Sequence, residues 1–318
     1  MNQNLLNNYI NAGNIHKNVE EYIKPLLKEN MKLIDICNLI ENKIKQLSNE
    51  KNLNNGIAFP TGISNNNIVA HYTPNYNDTT TLKTSDVCKI DFGVHIDGCI
   101  VDSAFTINLD NSYNNLLNAS KDAVDNIIKN IGIDSKFSEL SAISKEIVES
   151  YEINGKHLTP INNICGHNIL PYKIHGGKLL YGVPQENDTQ IVEENDIMAI
   201  EIFSSSGLGN SVLDNNPKNY SHFMLKENYD KSNIYSLSKK SRNLLSIIDN
   251  NFNTLPFCPR FIDNINNNHI NYSKNYKELF EKKILNIYPP LLEEKMDSKV
   301  AQFETSIYIG SNSNIILS

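Results

Sequence analysis

Residues 89–106, KIDFGVHIDGCIVDSAFT, predict a β-hairpin that carries two aspartates inside largely apolar strands. The turn is Asp97-Gly98, a pair that favours a two-residue type I′ turn because both central residues need positive φ. Counting outward from this turn gives the pairs Ile96 with Cys99, Gly93 with Asp102, and Asp91 with Ala104. Asp91 and Asp102 are then diagonal neighbours on one face, about 7–8 Å apart at the backbone. On a core-facing strand, two carboxylates without a basic partner favour a bound metal ion.

Strand parity also allows a second arrangement of this hairpin. In that arrangement Lys89, Asp91 and Asp102 share a solvated outer face, which is the commoner case for an arbitrary hairpin. The hairpin alone does not separate the two arrangements, so the choice depends on the other carboxylates and histidines of the chain.

Composition narrows the class of protein. The chain has 318 residues, is 40% hydrophobic and carries a net charge of −7, which suits a domain with a sizeable core. Its lysines are scattered, which argues against a nucleic-acid groove or an anionic membrane surface. The five cysteines contain no CxxC pair, and no run of 18 apolar residues occurs. We therefore expect a reduced, cytoplasmic protein with a single domain, residues 1–318.

Helical periodicity marks three regions outside the hairpin. Residues 5–50, 113–131 and 137–150 place apolar side chains at spacings of three to four, as amphipathic helices do. Residues 227–290 are more polar, and SRNLLSIIDNNF, PRFIDNI and KNYKELFEKKIL within them read as three further helices. We expect this region to be a helical insertion without a core of its own.

The most unusual carboxylate lies in the strand IMAIEIF, where Glu201 is surrounded by apolar residues. An unpaired carboxylate in a central strand costs several kcal/mol unless it is neutralised or coordinated, so Glu201 is predicted to be a ligand or a catalytic group. The segment CGHNILPYKIHGGK adds His167 and His175 beside glycines, which suggest close approach of the backbone to something bound. The two histidines are eight residues apart, so they cannot chelate locally and must act from different positions.

Two further candidates are ambiguous when taken singly. Glu304 in VAQFETSIYIG alternates with apolar residues, and parity alone would place it on the solvent side. His71 precedes a proline turn, where a histidine is more often structural than catalytic.

As a set, these residues suit a dinuclear metal site. Four carboxylates and one imidazole would hold two divalent ions about 3.5–4 Å apart and leave positions for water and substrate. The predicted ligands are Asp91, Asp102, His167, Glu201 and Glu304, with His71, His175 and His222 nearby as histidines that do not bind metal.

Nine motifs together resemble the type 2 methionine aminopeptidases, which are metalloproteases of the pita-bread fold. The motifs are GIAFPTG at 56, AHYTPN at 70, KIDFGVHIDG at 89, VDSAFT at 101, GHNILPYKIHGGK at 166, AIEIF at 199, SHFM at 221, YPP at 288 and AQFET at 301. The resemblance implies an α+β fold with a curved, mainly antiparallel sheet and outer helices. It also implies that residues 227–290 are the insertion that separates type 2 from type 1 enzymes.

The resemblance assigns roles to individual residues. It implies that the five predicted ligands hold two ions of Mn, Co, Fe or Zn, and that Glu201 also shuttles the proton of the attacking water. His71 would contact the scissile amide and react with epoxides of the fumagillin type, and His175 would hold the substrate carbonyl oxygen. The methionine pocket would be lined by Phe59, Ile174, His222 and Tyr288.

The implied substrates are nascent polypeptides with an initiator methionine and a small second residue, and a monomer is expected. The charged N-terminal extension that links eukaryotic members to the ribosome does not precede the motifs, which leaves ribosome contact open. Pro256 stands where the family is expected to have alanine, so the pocket is expected to differ there. Prolidases and aminopeptidase P share the fold but lack AHYTPN and the insertion. Non-catalytic relatives that bind ribosomes or RNA have lost metal ligands that this sequence keeps.

Overall fold

The computed structural model describes residues 1–51, 53–266 and 272–318. Within these residues the helices are α1 (Gln3–Ile23), α2 (Leu33–Ser48), α3 (Asn114–Asn130), α4 (Phe137–Ser150), α5 (Lys239–Asn251), α6 (Pro259–Asn266) and α7 (Ser273–Glu281). Short 3₁₀ helices span Lys24–Leu26, Pro217–Asn219 and Lys231–Ser236. The strands are β1 (Asn55–Asn65), β2 (Ile68–Ala70), β3 (Cys88–Ile96), β4 (Cys99–Ile107), β5 (Glu152–Ile153), β6 (Lys156–His157), β7 (Thr159–Pro160), β8 (Cys165–Asn168), β9 (Leu179–Tyr181), β10 (Ile197–Ser205), β11 (Ser211–Leu213), β12 (His222–Leu225), β13 (Leu285–Tyr288), β14 (Leu291–Glu293), β15 (Val300–Tyr308) and β16 (Ile315–Ile316).

An antiparallel sheet organises the described chain. Its strand order is β1-β3-β4-β15-β10-β8-β9, with β16 added to β15 and β7 added to β10. Smaller sheets are formed by β11-β14-β2, by β12-β13 and by β5-β6. The central position of β15, between β4 and β10, brings the C-terminal part of the chain between two strands that are distant from it in sequence.

The first helical layer, α1 and α2, packs against β1, β3 and β4. Ile36, Ile40 and Ile44 recur at a spacing of four along α2 and are fully buried in the cluster that these elements share. Residues 5–50 are not one continuous helix, as the periodicity suggested. Pro25 lies in the 3₁₀ turn after α1, where its missing N–H cannot continue an α-helix, and α2 restarts at Leu33.

The second helical layer, α3 and α4, covers the other half of the sheet. Both helices were predicted, and their apolar faces form a second buried cluster with β10 and β15. Ser120 on α3 bonds Ser204 on β10 (2.7 Å) and the backbone oxygen of Ala301 on β15 (3.1 Å), so this helix is also tied to the sheet by polar contacts.

The predicted insertion, residues 227–290, contains the three expected helices α5, α6 and α7, but the expected end of the last helix is wrong. This helix ends at Glu281, and Leu285–Tyr288 forms β13 instead of extending it. The short helices turn their apolar faces into a third buried cluster, which they share with Phe223 and Leu225 of β12. Its fully buried members include Leu244, Ile248, Phe257, Cys258, Ile262, Leu279, Ile284 and Leu285.

Candidate metal centre and peptide pocket

The predicted hairpin is confirmed in its turn and its register. Asp97 and Gly98 have φ of 47° and 77°, as a type I′ turn requires, and Asp91 lies opposite Ala104 while Gly93 lies opposite Asp102. The alternative with a solvated face is wrong. Lys89 is fully buried, and its Nζ donates to the backbone oxygens of Asn66 (3.0 Å) and Val300 (2.8 Å).

The five predicted ligands meet at the centre of the sheet, although they come from five different strands. They form two overlapping groups, Asp102 with His167 and Glu304, and Asp91 with Glu201 and Glu304. Within each group the candidate ligand atoms all lie within 4.8 Å of one another. Glu304 belongs to both groups, which is the arrangement expected of two adjacent cation positions that share a carboxylate.

Sheet register explains how residues so far apart in sequence converge. Glu201 on β10 pairs directly with Glu304 on β15, and the same β15 residue pairs with Ala104 on β4. His167 on β8 pairs with Ala199 on β10, two residues from Glu201 and therefore on the same face. The five side chains thus project from one face of neighbouring strands.

Gly166 allows β8 to approach β10 closely enough for His167 to join the group. A Cβ at this position would lie 2.4 Å from the backbone oxygen of Ala199 and 2.8 Å from the backbone nitrogen of Glu201. The glycine before His167 therefore serves strand packing, whereas the sequence had suggested approach to a bound group.

Glu304 is buried, so the solvent-facing position that parity predicted for it is wrong. Both faces of β15 are covered, because Ala301 and Ile307 pack under α3 and α4 while Glu304 faces the carboxylate cluster. An alternating pattern indicates a half-solvated strand only where one face is open to water. Here the second face is polar because it carries the site.

Like charges and burial together raise the pKa values of the clustered carboxyls. The pKa of Asp91 is raised well above its usual range by burial and then by Asp102, and burial raises the pKa of Asp102 to about 7. Burial, then Asp91 and Asp102, raises the pKa of Glu201, and burial followed by Asp102 does the same for the pKa of Glu304. Without a cation these groups cannot all ionise, because each charge disfavours the next.

The donor set fits divalent cations. Oδ1 of Asp91 and Oδ1 of Asp102 are buried and have no hydrogen-bond partner within the described part of the chain, so each has a free acceptor position in the cluster. His167 Nε2 faces Asp102 Oδ2 at 3.6 Å, and Nδ1 lies 3.4 Å from the backbone oxygen of Asn168. Burial lowers the pKa of His167 to about 4, which keeps the imidazole neutral as metal binding requires.

Gln302 is a member of this site that sequence reasoning missed. Its Nε2 donates to Glu201 Oε1 at 2.6 Å and to Asp91 Oδ2 at 3.3 Å, so one amide orients two predicted ligands. The available signal was parity, because Gln302 lies two residues before Glu304 on one strand and therefore on the same face.

Three other histidines surround the carboxylate cluster. The His167 and His175 rings are 4.5 Å apart in an edge-to-face arrangement, and the His71 ring lies 5.9 Å from that of His222 and 5.8 Å from that of Tyr288. Burial and the neighbouring His175 lower the pKa of His71 to about 4. His175 keeps exposed surface, yet loss of part of its surrounding water and the proximity of His167 lower its pKa as well. Burial and then His71 lower the pKa of His222, so these imidazoles are neutral near pH 7.

One pocket joins the histidines to the carboxylates. All four residues predicted to line an apolar pocket, namely Phe59, Ile174, His222 and Tyr288, line it. Pro256, the predicted departure from the family, also lines it. Sequence reasoning missed Met224, Ile164, Cys165 and Leu291, which complete the wall from separate strands and loops. The pocket opens beside the candidate metal ligands, so a bound apolar side chain would place its own backbone next to them.

Comparison with known proteins agrees with this geometry. Residues 7–220 match the model of metallopeptidase family M24. Methionine aminopeptidase 2 of Kluyveromyces lactis is 40% identical over 319 residues, spanning 96% of this chain and 74% of the relative. The chain belongs to family M24, within the methionine aminopeptidases. It is therefore a metal-dependent exopeptidase, and divalent metal use follows from the family and from the donor set described above.

Solved structures agree at the level of fold. A thermophilic Arx1 superposes with a TM-score of 0.84 at 19% identity, covering 100% of this chain and 91% of that one. Methionine aminopeptidase of Thermotoga maritima gives a TM-score of 0.67 at 16% identity, covering 100% and 97%. The pita-bread fold predicted from the motifs is confirmed by these neighbours. No helix among the described residues is long and apolar enough to cross a membrane.

Proposed function

We propose that this chain is a type 2 methionine aminopeptidase that removes the initiator methionine from nascent proteins and peptides, with a preference for a small second residue. The observation that carries the proposal is the pair of ligand groups sharing Glu304, which opens directly onto an apolar pocket lined by histidines. The type 2 assignment is supported by α5, α6 and α7, which lie between β12 and β15.

Two divalent ions complete the proposed site. Asp102, His167 and Glu304 would hold one ion, and Asp91, Glu201 and Glu304 would hold the other. When bound, the ions supply an activated water and a Lewis acid for the substrate carbonyl. Oxygen and imidazole donors suit Mn, Fe, Co or Zn, so the donor set alone does not select among them.

Glu201 is the proposed carrier of the proton in this hydrolysis. Water adds to the carbonyl carbon, the C–N bond breaks, and the proton of the water must reach the leaving nitrogen. A carboxylate beside the reacting groups can accept the proton of the water and pass it to the leaving nitrogen, and Glu201 belongs to the ligand group next to the pocket. Gln302 keeps one Glu201 oxygen oriented during this transfer.

The neutral histidines are proposed to position the substrate amide. His71 would bond the scissile nitrogen as that nitrogen becomes basic, and His175, at the exposed edge of the pocket, would donate to the carbonyl oxygen. The methionine side chain would fill the apolar wall formed by Phe59, Ile174 and Tyr288, with His222 beside it. A free α-amine has a lone pair that could bind at the ions held by the neighbouring cluster, whereas a blocked N-terminus has none, from which exopeptidase specificity follows.

We also propose that the protein is a cytoplasmic monomer that acts on polypeptides as they leave the ribosome. The widely separated, unpaired cysteines Cys37, Cys88, Cys99, Cys165 and Cys258 support a reducing compartment. Direct contact with the ribosome is a separate question, for which co-sedimentation of the purified chain with ribosomes is the measurement.

Peptide hydrolysis tests the proposal. Chelated protein should not cleave Met-Ala-Ser, and addition of Mn, Fe, Co or Zn should restore release of free methionine. Acetyl-Met-Ala-Ser should resist cleavage, and Met-Lys-Ser should be cleaved slowly. Comparable cleavage of Met-Ala, Met-Lys and Leu-Pro peptides would favour a prolidase-like enzyme. Binding of two ions without any cleavage would favour a non-catalytic relative that binds ribosomes or RNA.

A further inference from the structure

A buried arginine in the insertion reaches the main sheet behind the peptide pocket. Arg260 is the second residue of α6 and is 1% exposed. Its Nη1 donates to Oε2 of Glu41 on α2 at 2.7 Å, and its Nη2 donates to Oε1 of the same carboxylate at 2.9 Å. A bidentate pair of this kind fixes the plane of the guanidinium as well as its position.

The same guanidinium binds the segment that follows His71. Its Nε donates to the backbone oxygen of Pro74 at 2.8 Å, and its Nη2 donates to Thr73 Oγ1 at 3.0 Å. Residues 71–74, which we call the His71 segment, belong to no helix or strand. His71 itself has φ of 63°, a left-handed conformation that persists in a non-glycine residue only when its surroundings hold it. The two arginine contacts supply part of that support.

Further hydrogen bonds extend this support to two more walls of the pocket. Glu41 Oε1 accepts from the backbone nitrogen of Thr61 on β1 at 3.4 Å, next to pocket residues of the same strand. The backbone nitrogen of Thr73 donates to Ser221 Oγ at 3.4 Å, and Ser221 directly precedes His222. One buried ion pair therefore lies where α2, β1, the His71 segment and the insertion meet.

Stability alone is a weak explanation for this pair. Desolvation of two buried charges offsets most of their attraction, and a well-packed apolar pair of similar volume often folds equally well. An apolar pair could not, however, bond to Thr73 Oγ1 or to the backbone oxygen of Pro74. What the Arg260–Glu41 pair adds is a fixed direction for the His71 segment.

We propose that Arg260 is a positioning residue that acts through Thr73 and Pro74 to hold His71 where its imidazole meets the scissile amide. The inference rests on the role proposed above for His71. It gives the insertion a part in the reaction, because α6 then sets the geometry of a histidine that belongs to a different part of the chain.

Arg260→Lys is the informative substitution, because lysine keeps a positive charge beside Glu41 but cannot form the planar fork or reach Pro74 and Thr73 together. Displacement of a catalytic group by about 1 Å can lower the rate of reaction about 10²-fold, so kcat should fall by about 10- to 100-fold. KM for Met-Ala-Ser should change less than about threefold, and metal content should stay at the wild-type value, because no pocket wall or metal ligand is removed.

Two further variants separate positioning from folding. The double variant Glu41→Leu/Arg260→Met removes both charges, and it should unfold cooperatively yet show the same loss of kcat. Arg242→Met replaces an exposed arginine of α5 by the same residue, and among the described residues Arg242 Nη1 bonds only locally, to the backbone oxygen of Leu237. That control should keep wild-type kcat.

A double-mutant cycle with His71→Ala is the decisive comparison. If Arg260 acts through His71, Arg260→Lys should lower kcat less than about twofold in the His71→Ala background, since the group being positioned is gone. A full multiplicative loss in that background would overturn the proposal and leave Arg260 with a general structural role.

Side-chain NMR of the histidines supplies a readout that needs no activity. In Arg260→Lys the ring signals of His71, assigned with His71→Ala, should shift, while those of buried His16 should not. Unchanged His71 signals would refute positioning, even if wild-type protein failed to cleave any peptide. That latter failure would refute the proposed function instead, so the two failures are distinguishable.

Discussion

Glu201 and Glu304 face each other directly across the β10–β15 ladder, at the centre of the sheet. Like charges at such positions destabilise a sheet, and the neighbouring Asp91 and Asp102 increase the repulsion. Burial raises the pKa values of all four carboxyls, and the neighbouring carboxylates raise those of Asp91, Glu201 and Glu304 further. Binding of cations would therefore relieve the repulsion among these carboxylates and stabilise the folded protein.

Asp102→Asn should separate metal binding from folding. The raised pKa of Asp102, about 7, means that its contribution to stability is present at low pH and is lost as pH rises through 7 in metal-free protein. At pH 8, metal-free Asp102→Asn should therefore have a Tm equal to or above that of metal-free wild type. It should bind at most one ion tightly and lose nearly all peptidase activity.

Differential scanning calorimetry on chelated samples and elemental analysis on loaded samples check these two parts. Ser112→Asn, on the loop after β4, is a control that should leave metal content unchanged. Two bound ions with near-normal turnover in Asp102→Asn would contradict the dinuclear assignment.

Gln302→Leu should weaken the site without removing a ligand. Loss of the amide leaves one oxygen of Glu201 and one of Asp91 unoriented, and it removes donors that lower the pKa values of both carboxyls. Loss of such an outer contact typically costs about 10- to 100-fold in metal affinity or activity. Titration against a competing chelator measures the affinity, and Gln46→Leu, at an exposed position of α2, is the matched control. Wild-type affinity and kcat would show that Gln302 only fills space.

Local chemistry made the hairpin predictable from sequence. The Asp97-Gly98 turn fixes the register by itself, so the shared face of Asp91 and Asp102 needed no information from the rest of the fold. The special role of Glu201 was equally predictable, because burying an acidic residue in an apolar strand is costly wherever the strand lies in the fold.

Long-range contacts explain what could not be predicted. Glu304 is buried because helices cover one face of β15 and the carboxylate cluster occupies the other, so parity within 300–308 was misleading. Arg260 and Glu41 are 219 residues apart, and no sequence motif around either residue predicts their ion pair. The apolar cluster that the insertion shares with β12 was missed because short helices need one apolar face each, which leaves the average composition polar.

Stability should depend on pH through His16 on α1, which takes no part in the proposed reaction. His16 is fully buried, stacks on Phe92 with ring centroids 4.0 Å apart, and donates from Nε2 to the backbone oxygen of Phe92. Burial lowers its pKa from 6.5 to about 4. A lowered histidine pKa contributes stability above pH 6.5 that is lost as pH falls toward 4, because the unfolded chain takes up the proton first.

Between pH 7.5 and pH 5 this histidine should therefore account for about 2 kcal/mol of lost unfolding free energy. Urea unfolding of wild type and His16→Leu at pH 7.5 and pH 5 measures this loss. The free energy of unfolding should fall by about 2 kcal/mol less in His16→Leu than in wild type. Equal pH dependence in wild type and His16→Leu would show that His16 is protonated to the same extent in the folded and unfolded states.

His71→Ala should lower kcat strongly and leave metal content unchanged. A histidine that contacts the scissile nitrogen acts mainly in the transition state, and loss of such a group costs on the order of 10²–10⁴ in rate, or about 3–5 kcal/mol. His167→Ala should instead lose metal together with activity, because His167 belongs to a ligand group. Elemental analysis beside steady-state kinetics distinguishes the two variants.

A covalent probe tests the same assignment by different chemistry. Burial and His175 hold the pKa of His71 at about 4, so its imidazole is neutral and nucleophilic throughout pH 6–8. An epoxide of the fumagillin type should therefore alkylate His71 at a rate that varies little across that range, and mass spectrometry should find no other modified histidine. An adduct on His175, or a His71→Ala protein with depleted metal and unchanged activity per metal, would mean that the catalytic role belongs to another imidazole.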